Sequence, residues 1–171
     1  AGTAERFSVT VPELVDALKP GETVLLNDGA IRLEVEQSCP GRADCRVVRG
    51  GWLEGGKGVN LPDTDLTLSA LTDKDRRDVD WIAERGFDYV ALSFVRRPDD
   101  VIELRELLAE RSCHAQIVAK IEKPQAVERI EEILEEADAV MVARGDLGVE
   151  MDLPSVPAAQ KRIARLAQQR G

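Results

Sequence analysis

Apolar positions along this chain follow two different rhythms, which change near residue 61. Before that point the apolar runs are short, β-prone and broken by glycine. Thr23-Val24-Leu25-Leu26 and Ile31-Arg32-Leu33-Glu34-Val35 flank a turn at Asn27-Asp28-Gly29. The second run alternates apolar and charged side chains, as a strand with one solvated face does. Asp-Gly between two such runs predicts a hairpin. Cys45-Arg46-Val47-Val48-Arg49 predicts a further strand, and Gly50-Gly51 and Gly55-Gly56 punctuate the residues after it. The stretch from Val11 to Leu18 reads as a short helix or turn. Residues 1–61 are therefore expected to form a small all-β module.

From residue 62 the period lengthens. Thr72 can cap a helix through Asp75 to Ile82, with Asp75 three residues on as the acid of a capping box and Gly86 as its end. Tyr89 to Phe94 reads as a buried strand. Pro98 opens a helix whose apolar positions are Val101, Leu104, Leu107 and Leu108. A strand at Ile117-Val118-Ala119-Lys120-Ile121-Glu122 follows. A helix over Ala126 to Glu136 comes next, with Val127, Ile130, Ile133 and Leu134 on one face. A strand from Ala139 and a helix from Gln160 to Gln169 complete the pattern. Strands separated by helices predict a parallel α/β arrangement for residues 62–171.

Composition narrows the class. With 32% charged and 43% hydrophobic residues, the chain has an ordinary globular composition. A formal net charge of −9 argues against nucleic acid or an anionic membrane as partner. The three cysteines, Cys39, Cys45 and Cys113, lack metal-site spacing; Cys39 and Cys45 could pair, but free thiols of a reducing cytoplasm are the plainer reading. No apolar run has transmembrane length.

The strand ends carry the candidate chemistry. Lys120 interrupts an apolar strand, and Glu122, two residues later, shares its face. Asp146 follows Gly145 just beyond the next strand. In β-α-β units the C-terminal strand ends are where sites are built. Two carboxylates there suit a hard cation such as Mg²⁺. A lysine beside them can offset charge on a transferring phosphoryl group. Each residue also has a plain structural reading. Lys120 can snorkel from a strand end, Lys120 and Glu122 can form an ion pair, and Asp146 can cap a helix or turn. His114, the only histidine, reads as a surface loop residue.

Ala119-Lys120-Ile121-Glu122-Lys123-Pro124-Gln125-Ala126-Val127 and Met141-Val142-Ala143-Arg144-Gly145-Asp146-Leu147-Gly148-Val149-Glu150 resemble the central barrel motifs of the pyruvate kinase family. Asn27-Asp28-Gly29-Ala30-Ile31 resembles that family's small-domain turn, with Asn27 replacing a common acid. Gly55-Gly56-Lys57-Gly58-Val59-Asn60-Leu61-Pro62 resembles the return to the barrel. Ala91-Leu92-Ser93-Phe94-Val95-Arg96 resembles the strand before the lysine strand. These motifs stand in family order over nearly the whole chain.

The resemblance implies a partial TIM (β/α)₈ barrel, strands four to six, with a small all-β inserted lid over residues 1–61. It implies transfer of a phosphoryl group from phosphoenolpyruvate to ADP, giving pyruvate and ATP, in the cytoplasm as the last step of glycolysis. Lys120 would be the catalytic residue and would bind substrate. Glu122 and Asp146 would hold Mg²⁺ or Mn²⁺. Ala143, Arg144, Gly145 and Asp146 would meet the substrate, and Lys57 the nucleotide. Ser93 and Phe94 would lie beside the site. A K⁺ ion is implied as well, with ligands on early strands that do not map onto this chain. The family is usually homo-oligomeric.

A complete (β/α)₈ barrel needs roughly 200–250 residues, so a chain of 171 residues is expected to be a fragment. It is expected to have little or no activity alone, marginal stability and a tendency to self-associate. A metal-dependent lyase or aldolase handling an enolate on a related barrel is the alternative enzyme, and a non-catalytic fragment the alternative to an enzyme.

Overall fold

A computed structural model describes residues 2–3, 5–64 and 69–171. The chain divides into two compact units, Ala1–Thr67 and Leu68–Gly171.

In the first unit a short helix, α1 (Glu13–Ala17), precedes four strands: β1 (Thr23–Leu26), β2 (Ile31–Cys39), β3 (Arg42–Arg49) and β4 (Val59–Asn60). They form one antiparallel sheet in the order β3-β2-β1-β4. The expected hairpin is present, with Leu26 opposite Ile31. Its turn puts Asn27, Asp28 and Gly29 all at positive φ (52°, 53° and 77°), the region that Asn, Asp and Gly tolerate best. Alternation along β2 buries Ile31, Leu33 and Val35. With Leu18, Val24, Leu26 and Leu61 they make the core of this unit. Trp52 lies outside it, almost fully exposed.

The second unit begins with α2 (Asp73–Arg85), capped as its sequence predicts. Thr72 Oγ1 accepts from the Asp75 N–H, the Asp75 carboxylate accepts from the Thr72 N–H, and Gly86 closes the helix in the left-handed region at φ 66°. Trp81 on α2 is half exposed, with the Phe87 ring 5.3 Å away and the Arg85 guanidinium 5.4 Å from its own ring. Then follow β5 (Tyr89–Leu92), α3 (Pro98–Glu110), β6 (Gln116–Ile121), α4 (Pro124–Glu128), α5 (Ile130–Glu136), β7 (Ala139–Val142), α6 (Arg144–Glu150), a single 3₁₀ turn (Leu153–Ser155) and α7 (Val156–Arg170).

Strands β5, β6 and β7 pair in parallel in that order. Register sorts their side chains. Val90, Leu92, Ile117, Ala119, Ile121, Val140 and Val142 share one face and pack with Val101, Leu104, Ile130, Ile133 and Ile163 of the helices. Tyr89, Ala91, Val118, Lys120 and Met141 share the other face, where Tyr89, Ala91 and Met141 are exposed. Asp138 fixes the start of this pairing. Its carboxylate accepts from the Ile117 N–H at 2.7 Å and from Arg105 at 3.0 Å. Burial pushes this carboxyl up, but those donors outweigh it and hold Asp138 below the usual carboxylate range.

Several boundaries differ from the sequence reading. The strand expected through Phe94 stops at Leu92, because Phe94 turns the chain at φ 59°. The helix expected over 126–136 is two helices joined at Arg129, whose ψ of 22° leaves the helical region. The residues after β7, where the sequence reading places no helix, form α6. Strand β4, only two residues long, falls below what a periodicity can reveal.

Candidate active site

The site is assembled where β5 and β6 end. Ser93 continues the alternation of Tyr89 and Ala91, and Glu122 that of Val118 and Lys120, so all three polar side chains are carried toward one face. Lys120 Nζ donates to Ser93 Oγ at 2.9 Å and lies 2.6 Å from Glu122 Oε1. Glu122 is 3% exposed. Its Oε2 accepts from the Phe94 N–H at 3.0 Å. A buried carboxylate needs this compensation, since an isolated buried charge is costly. The Lys–Glu ion pair, the plain structural reading, is therefore real, and it coexists with a geometry open to chemistry.

Phe94 is the conformational outlier of the site. A bulky residue at positive φ is uncommon and costs energy, yet Phe94 as a whole is 56% exposed and buries little. What the strained backbone achieves is the N–H contact with Glu122.

Asp146 lies in the first turn of α6 and is exposed, as are Arg144 and Gly145. Ala143 is the residue before the helix, and its N–H donates to the Ile121 carbonyl at 3.2 Å, so β6 positions the start of α6. The buried Lys123–Glu150 ion pair ties the segment after β6 to the last turn of α6. That pair escapes sequence reading, because 27 residues separate its members and no spacing rule joins them. Asp100, fully buried, accepts from the Arg96 and Arg97 N–H groups at 2.8 and 3.2 Å and holds the chain leaving Phe94. Its position three residues after Arg97 was the available signal. Lys57 belongs to the first unit, is exposed and lies 3.7 Å from Glu54. Asp28 serves the hairpin turn, and His114 is exposed beyond α3.

Among the described residues, no group of three or more His, Cys, Asp and Glu side chains is gathered around a point that could hold a metal. Two carboxylates remain a suitable donor set for Mg²⁺, which commonly takes one or two from protein and completes its shell with water and substrate oxygens. By donor type Glu122 and Asp146, one just past β6 and one in the first turn of the helix after β7, are such a pair.

Comparison with known proteins identifies the family. The family model "Pyruvate kinase, barrel domain" matches residues 1–171. The chain is 48% identical over 170 residues to the pyruvate kinase of Methylorubrum extorquens, covering 99% of this chain and 35% of that protein. It is 47% identical to that of Geobacillus stearothermophilus and 44% to that of Staphylococcus saprophyticus, in each case over 96% of this chain and 28% of the relative. It thus spans about a third of the length of these relatives, and with a match along its whole length the chain belongs to the pyruvate kinase family.

Proposed function

We propose that this chain supplies the lysine and metal-binding part of a site that transfers a phosphoryl group from phosphoenolpyruvate to ADP. The observation that carries this reading is the Ser93–Lys120–Glu122 cluster at the C-terminal edge of a parallel sheet, with Asp146 opening the helix after the adjacent strand. Glu122 and Asp146 would hold Mg²⁺ or Mn²⁺, whose charge would neutralise substrate oxygens when bound. Lys120 offsets charge that develops on the phosphoryl group in flight. N–H groups at the start of α6, from Arg144 to Asp146, have no partner within the helix and suit the substrate carboxylate. Ser93 keeps the Lys120 ammonium aimed along its face. These are effects of position and charge rather than of covalent catalysis. The nucleotide role of Lys57 rests on the family motif around it. The monovalent cation also enters through the family, and no residue of this chain is assigned to it.

The three strand–helix pairs fit consecutive units of a (β/α)₈ barrel, and residues 1–61 fit an inserted β lid. Support comes from the sheet itself. One face is covered by helices, while the other presents Tyr89, Ala91 and Met141 to solvent, as an inner barrel face does before its remaining strands are added. Among the described residues no helix is long and apolar enough to cross a membrane.

The test is Lys120→Ala, made in a polypeptide of the relatives' length that contains this chain and assayed by coupled pyruvate formation. Turnover should fall by about 10²–10³, the usual effect of deleting one group that stabilises transition-state charge. KM for phosphoenolpyruvate should change far less. A loss confined to KM would overturn the role of Lys120.

A further inference from the structure

The two oxygens of Glu122 are held in different ways. Oε2 is held by a backbone donor, the Phe94 N–H, which the turn at φ 59° fixes in place. Oε1 is held by a side chain, the Lys120 ammonium at 2.6 Å. That ammonium has a second partner already in reach, Ser93 Oγ at 2.9 Å, and the Lys120 side chain is a quarter exposed while that of Glu122 is buried. One oxygen is anchored and the other has a movable cation.

We infer that Lys120 competes with the divalent cation for Glu122, and that cation binding hands the Lys120 ammonium from Glu122 to Ser93 and the substrate. This inference rests on the reading that Glu122 is a metal ligand. Mg²⁺ bonds carboxylate oxygen at about 2.0–2.1 Å. An ammonium 2.6 Å from the same oxygen meets the cation as a close like charge. The carboxylate stays oriented through the exchange because the Phe94 N–H does not leave. The charge that serves the phosphoryl group is thus released only when the cation is in place.

Competition predicts a sign that a supporting role does not. If Lys120 merely orients Glu122, its removal weakens cation binding. If it competes, its removal tightens binding. The second effect is the larger here, since Phe94 already supplies orientation. Mn²⁺ binding to the chain is read by water-proton relaxation, with no turnover involved. Lys120→Met and Lys120→Gln should bind Mn²⁺ more tightly by about tenfold or more, since removing a unit charge a few ångströms from a divalent ion is worth that much even at the dielectric of water. Lys120→Arg, still cationic, should stay near the wild-type affinity. Glu122→Gln should weaken binding.

Equal or weaker binding in the neutral variants, with Glu122→Gln weakened, overturns the competition and leaves the metal reading standing. Glu122→Gln and Asp146→Asn both binding as wild type overturn the metal reading, and the competition with it. If the neutral variants fail to fold, the wild-type chain decides. Labelled with ¹³C-lysine, its Lys120 Cε resonance, assigned by its disappearance in Lys120→Arg, should shift as Mg²⁺ is added. The same resonance should stay still in Glu122→Gln. A resonance unmoved by Mg²⁺ in the wild type overturns the exchange.

Discussion

Phe94 concentrates the energetic cost of the site in one residue. Its φ of 59° suits glycine, and the residue, more than half exposed, gains little burial in return. Glycine there relieves the left-handed strain and loses chain entropy on folding, two effects of about 1 kcal/mol and opposite sign. Phe94→Gly should therefore leave the urea midpoint nearly unchanged. Phe94→Val should cost about 1 kcal/mol beyond the strain Phe94 already carries, because β-branching crowds the left-handed region further. A Val variant as stable as wild type would show that the turn is not strained. The pairing of Lys120 with Glu122 was legible because the two charged residues stand two apart at the end of an apolar run and so share a face. The backbone donor at Phe94 was not legible, because a donor every residue carries leaves no mark in a sequence.

Elements were legible where a local rule decided them. The Thr72 cap, the Gly86 stop, Pro98 at the head of α3 and the Asp28-Gly29 hairpin all act within a few residues of themselves. Helix α6 was missed because Gly145 and Gly148 depress helix propensity. Contacts distant in sequence secure it instead, Leu147 packing with Val156 and Ala159 and Glu150 pairing with Lys123. The junction at Arg129 was hidden because α4 and α5 keep one apolar face across it. Asp138 sets a pH dependence at this scale. Its folded pKa lies below the unfolded one, so its contribution is fully present above the ordinary aspartate value and fades as pH falls through the folded value. Asp138→Ala should cost about 1–2 kcal/mol at pH 7, for the lost acceptor of the Ile117 N–H and the lost partner of Arg105. The gap to wild type should begin to narrow below about pH 4, where aspartate of the unfolded chain takes up its proton while the folded carboxyl still resists. Urea midpoints at pH 7 and pH 3 give both values, and an equal gap at the two would refute the assignment.

At the scale of the whole molecule, each unit has a core made of its own residues. Ile133, fully buried under the parallel sheet, belongs to the second unit alone. Ile133→Ala should destabilise that unit by about 2–5 kcal/mol. Amide hydrogen exchange should rise across β5, β6 and β7 while protection in β1 and β2 stays at its wild-type level. Exchange rising equally in both units would mean that they unfold as one. The tryptophans add an optical side to this division. Trp52 stands in the first unit as a nearly bare indole, and Trp81 stands in the second against Phe87 and Arg85. Each half therefore carries its own emitter. Trp52→Phe leaves fluorescence that follows the parallel sheet, because Trp81 loses Phe87 and Arg85 when that unit unfolds, whereas Trp52, already bare in the folded unit, emits as a solvated indole throughout and serves as an internal reference.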